Sequence, residues 1–325
     1  MTKIASLLTL LLMVLVCLLP AAPAMAQRDR VFVASYGSDS NPCTFGSPCK
    51  TFQQAIDVVA VGGEVTAIDS AGFGTFTISH AVTITSPNGV EAGVAAPASF
   101  NAAITINAGT NDIISLNGLT LDGDNVSESD GIRFNSGASL NIQNSVIRNF
   151  GNNGITFVPS VSSQLSMSTT LVSNNSNYGI YLVPTGSEPV VGVLDHVDIE
   201  SNFGVGLEVT STTQTVNVTV SDSVIAKNGM DGIDAFWAGG ALNVMVRSST
   251  IANNGGNGGG DGGSLNNGLS VEGSGAQMWI TRSTITGNVI GWSTSSSGAL
   301  ITFSDNNIVG NGSVNTAPTS TATYE

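Results

Sequence analysis

The feature that most constrains this chain is an internal period of about 26 residues. Apolar anchors recur at Leu121, Ile147, Val172, Ile199, Ile225, Ile251, Ile285 and Ile308, in stretches such as SVIRNFGNNGI, TLVSNNSNYGI, VDIESNFGVGL and SVIAKNGMDGI. Five residues before each anchor stands a second hydrophobic series: Leu116, Ile142, Met167, Leu194, Val220, Val246, Ile280 and Phe303. Three residues after the anchor comes Asn (175, 202, 228, 254, 288, 311), with Asp124 and Phe150 as exceptions. Seven after it comes Gly followed by an apolar residue, as in Gly154-Ile155, Gly179-Ile180, Gly206-Leu207 and Gly232-Ile233. Within each unit, short alternating apolar runs are bounded by Asn, Gly and Ser, which is the pattern of strands and turns. A fixed period of this length makes each unit one turn of a coil that can bury its apolar face only against its neighbours. Stacked turns then hydrogen-bond strand to strand in parallel, and the asparagines align from coil to coil.

The flanking segments divide the chain. Lys3, an apolar run from Leu7 to Leu19, and Ala24-Met25-Ala26 have the layout of a signal peptide over residues 1–26. The expected mature protein is therefore secreted or periplasmic, with no membrane span. Residues 27–63 form a lead-in loop and cap, residues 64–312 the repeat, and residues 313–325 a polar tail expected to fray. In the lead-in, Cys43 and Cys49 enclose Pro and Gly, so an exported chain is expected to join them in a disulfide. A helix at about 51–59 puts Ala55, Ile56, Val58 and Val59 on one side, where they can cover the open end of the stack. A glycine-rich stretch, IANNGGNGGGDGGSLNNGL, begins with the repeat's Ile251 and Asn254 and ends with Gly268-Leu269. It is an inserted loop at 255–264 within one turn rather than a linker, and it has no second copy with which to form a calcium-binding glycine repeat.

Coil length, the asparagine series and the N-N-G-I strand starts together resemble the right-handed parallel β-helix proteins of the pectate-lyase-like superfamily. The resemblance implies an all-β, right-handed, single-stranded parallel β-helix solenoid with a short N-terminal capping helix. It also implies that function sits on the outward face of the sheet built from the Gly-Ile strands. The residues expected to point outward there are Arg133, Thr156, Tyr181, Glu208, Asp234 and Ser270.

Glu208 and Asp234, one coil apart, are the pair with chemical potential. Two stacked carboxylates either hold a cation such as Ca²⁺, raise a pKa, or splay into solvent, and the last is the expectation for an acidic protein. Asp231, in NGMDGIDAFW, resembles the catalytic Asp of the N-T-D-G-I segment of polygalacturonases. The D-D and G-H-G partners of that family are missing, however, and Asp130 repeats the same D-G-I. Asp231, Asp234 and Glu208 are thus the candidate catalytic carboxyls, Glu208 and Asp234 the candidate calcium ligands, and Arg133, Tyr181 and Trp237 the candidate sugar contacts.

A lyase needs a Lys or Arg base. Lys50, Lys227, Arg148, Arg247 and Arg282 fall on scattered turns. Asp195, His196, Asp222 and Arg247 gather in consecutive coils, as an ion pair or hydrogen-bonded turn, and His80 is expected to cap a turn. The formal net charge of −14 argues against nucleic-acid partners. The reading is an exported, non-catalytic carbohydrate-interacting or structural protein, with a polysaccharide lyase, epimerase or glycoside hydrolase as the alternative; oligomeric state is open.

Overall fold

The computed structural model describes residues 28–96, 101–124, 128–256, 266–313 and 317–323. The expected signal peptide at 1–26 and most of the inserted loop at 255–264 lie outside the described residues. The chain winds as a right-handed parallel β-helix, and the paired strands run parallel throughout. One coil shows the plan. Leu207–Ser211 lies in a nine-strand sheet, and Thr215–Ser221 and Val224–Ala226 form the remaining walls. Those walls merge into a twenty-strand sheet because Ser163–Ser173 and Val190–Glu200 run through the corner without a break. At the corner every one of these coils has a single residue in left-handed conformation, three positions before the anchor: Asn144, Thr169, His196, Asp222, Ser248 and Arg282, of which Thr169 and His196 lie within the two continuous strands. A second left-handed residue follows the anchor by two, as at Asn149, Asn174, Ser201, Lys227 and Asn253.

Register carries the repeat into three dimensions. Ile132, Ile155, Ile180, Leu207, Ile233 and Leu269 stack as successive partners inside the coil. The anchors Ile147, Val172, Ile199, Ile225, Ile251 and Ile285 stack likewise, and all are fully buried. The asparagines form a buried ladder: Asn175 Nδ2 donates to Asn202 Oδ1 at 2.8 Å, Asn202 to Asn228 at 3.0 Å, and Asn228 to Asn254 at 3.0 Å. Each side-chain oxygen also accepts the preceding rung's backbone N–H, which a turn buried at the coil corner would otherwise leave unpaired. Where Phe150 replaces Asn, its buried ring ends the ladder while its N–H still donates to Asn175. A parallel serine ladder, two residues before the anchor, links Val197, Ser223, Ser249 and Ser283 through N–H to Oγ bonds of 3.0–3.2 Å.

The glycine that recurs before each inward strand start is required by space. Gly206, Gly232 and Gly268 are absent from the left-handed positions, but a Cβ on Gly232 would lie 2.6 Å from the Gly268 carbonyl and 2.8 Å from Asn254 Nδ2. The inserted loop leaves the stack intact. Ile233 faces Leu269 across it, and Asn254 bonds directly to Asn288.

Two ends differ from expectation. The lead-in is not only loop and helix, because Arg28–Val33 is a strand that pairs from Arg30 opposite Glu64 to Val33 opposite Ala67. The Cys43–Cys49 disulfide ties the following loop. Helix Phe52–Val58, capped by the Thr51 hydroxyl accepting from Gln54 N–H, buries Phe52, Ala55 and Ile56, with the Phe52 ring against Phe73 and Phe76. Within the tail expected to fray, Ser320–Thr321 pairs with Ile301 and Thr302. In the last full coil the inward slot beside Ile280 is filled by Thr302, so Phe303 leaves the core series and turns half-exposed. The bulge lies in the 22-residue step from Ile280 to Thr302, one short of the 23 between Ile285 and Ile308.

Candidate carboxyl site

The nine-strand sheet places its outward residues in columns. One column runs Thr105, Arg133, Thr156, Tyr181, Glu208, Asp234, Ser270 and Ser293. Adjacent members are one strand spacing apart, ~4.8 Å. Glu208 and Asp234 do not splay into solvent as expected. Their exposures are 8 % and 7 %, and Ser270 beside them is 6 % exposed. Outward direction on a sheet fixes which face a side chain occupies, and neighbouring large side chains decide whether water reaches it. Here Tyr178 and Tyr181, stacked with ring centroids 5.0 Å apart, flank the carboxyls on one side.

Asp231 enters from the turn. It is wholly buried, and its Oδ1 accepts from Asn267 Nδ2 at 3.0 Å and from the Asn267 N–H at 2.5 Å. Asp130 does the same work four coils earlier, accepting from the Asn153 N–H at 3.2 Å and Asn152 Nδ2 at 2.8 Å. The D-G-I tripeptide is therefore a rung that caps the next coil's backbone. Asp231 differs in lying beside Asp234, and its buried Oδ2, like Asp234 Oδ1, has no hydrogen-bond partner among the described residues.

Three carboxyls in one dry site cannot all ionise. Burial, and then the charge of Asp234, push Glu208 up to about 8, against the pull of a 2.9 Å hydrogen bond from Thr210 Oγ1. Burial and the Asp234 charge push Asp231 to about 8 as well. Asp234 rises less, to about 6, because Ser270 and Glu208 stabilise its ionised form against burial and the Glu272 charge. All three acids are therefore held more protonated near neutrality than exposed carboxyls, Asp234 least so. Burial, with the Glu208 and Asp234 charges, also holds the Tyr178 hydroxyl protonated, its value pushed up to about 12.

The other candidates lie apart. Arg133 is three coils away, with its guanidinium 3.2 Å from the buried Asp130 carboxylate. Trp237 turns its Nε1 to the Gly240 carbonyl at 2.9 Å and packs on Gly273 and Gly275, so it closes a corner. Phe236, 37 % exposed and between Thr210 and Glu272, is the open aromatic on this face. Tyr178 escaped the sequence reading because it occupies the rung position of Asn153 and Asp231, not the outward column. Its signal was an aromatic at a position that is Asp130, Asn153, Asp231 and Asn267 in four other coils, with Val205 another departure.

Among the described residues no group of three or more His, Cys, Asp or Glu is arranged to hold a metal ion. Glu208 and Asp234 would supply at most four of the roughly six to eight oxygens that calcium takes, the rest having to come from other groups or water. The second cluster is a surface turn: His196 Nδ1 meets Asp195 at 3.0 Å, and Ser221 Oγ donates to the same carboxylate at 2.6 Å. Lys227 pairs with Glu200 and Arg148 with Asp122, both away from the carboxyl cluster. His80 leaves a buried Nε2 without a partner among the described residues.

No protein-family model and no curated protein matches the chain. Among solved structures, pectate lyase Pel9A is similar at 16 % identity and a TM-score of 0.60, over 91 % of this chain and 80 % of that one. The A-module of the Azotobacter vinelandii mannuronan C-5 epimerase AlgE4 is 14 % identical with a TM-score of 0.43, over 91 % and 89 %. A rhamnogalacturonan lyase is 13 % identical with a TM-score of 0.42, over 85 % and 76 %. The first likeness shows the fold, a pectate-lyase-like parallel β-helix.

Proposed function

We propose that this is an exported carbohydrate-interacting protein that binds an uncharged polysaccharide strand across the outward face of the nine-strand sheet, centred on Tyr181, Glu208, Asp234 and Ser270. The carrying observation is the dry carboxyl cluster on the outward face of the nine-strand sheet, beside the partly exposed Tyr181 and the exposed Phe236. Protonated Glu208 offers a donor and ionised Asp234 an acceptor, the pair of groups that a sugar hydroxyl uses together. Phe236 and the Tyr178–Tyr181 stack supply apolar surface for the faces of sugar rings. A uronate chain fits this face poorly, because its carboxylates would meet the Asp234 charge while the one cation in the column, Arg133, is already paired. The Cys43–Cys49 disulfide is consistent with an extracytoplasmic setting.

Affinity electrophoresis through gels containing xylan, glucan, mannan or polygalacturonate tests the reading. The expected result is retardation by an uncharged polymer that Glu208→Ala reduces at least tenfold. Retardation by polygalacturonate alone would overturn it.

The split pKa values favour one second reading, glycoside hydrolysis, with Glu208 as general acid and Asp234 as the ionised partner, Asp231 positioning both. Release of reducing ends from the retained polymer, following a bell between about pH 6 and pH 8 and lost in Asp234→Asn, is its expected signature. Retention without release leaves the protein a binder.

A further inference from the structure

The opposite side of the coil carries a second built surface. On the outward face of the twenty-strand sheet, Thr219, Met245 and Trp279 follow one another on successive coils, and Asn217 and Asn243 stand in the neighbouring column. Asn243 Nδ2 donates to Asn217 Oδ1 at 2.8 Å, which fixes both amide planes and leaves Asn217 Nδ2 and Asn243 Oδ1 directed outward from the pair. With Phe303 these residues line a shallow groove of about 400 Å³. Phe303 is there only because the last coil steps its register by one and puts Thr302 inside. Two large aromatics and a methionine thus stand partly exposed side by side, where the same columns elsewhere mix polar residues with single apolar ones such as Ile113 and Val191, and this leaves apolar area in water at a cost of ~25 cal/mol per Å².

The geometry points to a second sugar-binding strip in this groove, for an extended, uncharged oligosaccharide distinct from whatever occupies the carboxyl face. Every lining side chain is neutral, which removes the attraction that a uronate, a nucleic acid or an anionic membrane would need. A purely apolar partner would leave the outward amide edges of Asn217 and Asn243 buried and unpaired. A pyranose ring satisfies both halves of the groove, with its C–H face on Trp279 and its hydroxyls on the amides. The coil spacing of ~4.8 Å is close to the length of one sugar in an extended chain, so consecutive sugars meet Met245 and Trp279 in turn, with Phe303 at the edge of the groove.

Indole N–H signals of ¹⁵N-tryptophan-labelled protein test this, with Trp279→Phe assigning the resonance. The probes are cellohexaose, xylohexaose and mannohexaose, their dimers, and hexagalacturonate. The expected result is a saturable shift of the Trp279 signal by at least one uncharged hexamer, with the dimer at least tenfold weaker. That response should survive in Glu208→Ala, which removes the carboxyl face's donor, and lose at least tenfold in affinity in Asn217→Ala/Asn243→Ala. The inference is overturned if no uncharged hexamer moves the Trp279 signal, if hexagalacturonate moves it equally well, or if it moves only with protein concentration alongside a rise in sedimentation coefficient, which would make the groove a contact between copies of this chain.

Discussion

At the residue scale, the protonation of Glu208 links the site to stability. A carboxyl whose folded value exceeds its unfolded one stabilises the fold fully only below the unfolded value, near pH 4, and that contribution is lost as pH rises through the folded value. For Glu208 and Asp231 the loss runs up to about pH 8, and for Asp234 to about pH 6. Glu208→Gln keeps the shape and removes the titration. The expected outcome in thermal melts is a variant more stable than the parent at pH 9, by roughly 1–3 kcal/mol, with the difference closing at pH 4. Equal melting at both pH values would mean that Glu208 is solvated and ionised like any surface carboxylate.

At the element scale, the ladders set what a coil tolerates. Asn228 accepts from the Asn202 N–H and Nδ2 and donates to the Ile199 carbonyl and Asn254 Oδ1. Asn228→Ala strands several buried groups at once, and a loss of roughly 2–4 kcal/mol by denaturant unfolding is expected. Gly232→Ala should cost at least as much, because its Cβ meets backbone rather than a movable side chain. The inserted loop is the contrasting element: a Cβ on Gly255 would lie 2.8 Å from the Asn266 carbonyl, so the loop ends already touch. Replacing the insertion by the regular seven-residue spacing between anchor and glycine is expected to preserve the far-UV circular dichroism spectrum and leave stability within about 1 kcal/mol. A collapse of the fold would show that the loop holds coils together.

The repeat was legible at this scale because its chemistry is strict. Ile or Val fills one inward slot, Asn one rung, and Gly one place with no room for a Cβ. The serine ladder was equally present, in SVI and STI, but Ser is common in any polar turn and gave no contrast. The slip at Phe303 was hidden because Thr302 and Phe303 are each acceptable to an apolar count. The strand at Arg28–Val33 and the tail strand lie outside the period, so nothing repeated to announce them.

At the whole-molecule scale, stacking turns one-dimensional spacing into two long faces. Alternation along the Gly-Ile strands placed Glu208 and Asp234 on the correct side of the sheet from sequence alone. It did not reveal their burial, which depends on Tyr178, a residue from the turn before the strand, and on side chains one coil away. It also did not separate Asp231, a buried rung, from the outward carboxyls. The most direct measurement is the crystal structure of the protein soaked with an uncharged hexasaccharide that retards it. The account predicts a chain crossing the strands along Tyr181, Glu208, Asp234 and Ser270, with sugar hydroxyls within hydrogen-bond reach of the Glu208 and Asp234 carboxyls. A sugar chain that leaves this face empty, or a cation held between Glu208 and Asp234 with the ligand bound through it, would contradict it.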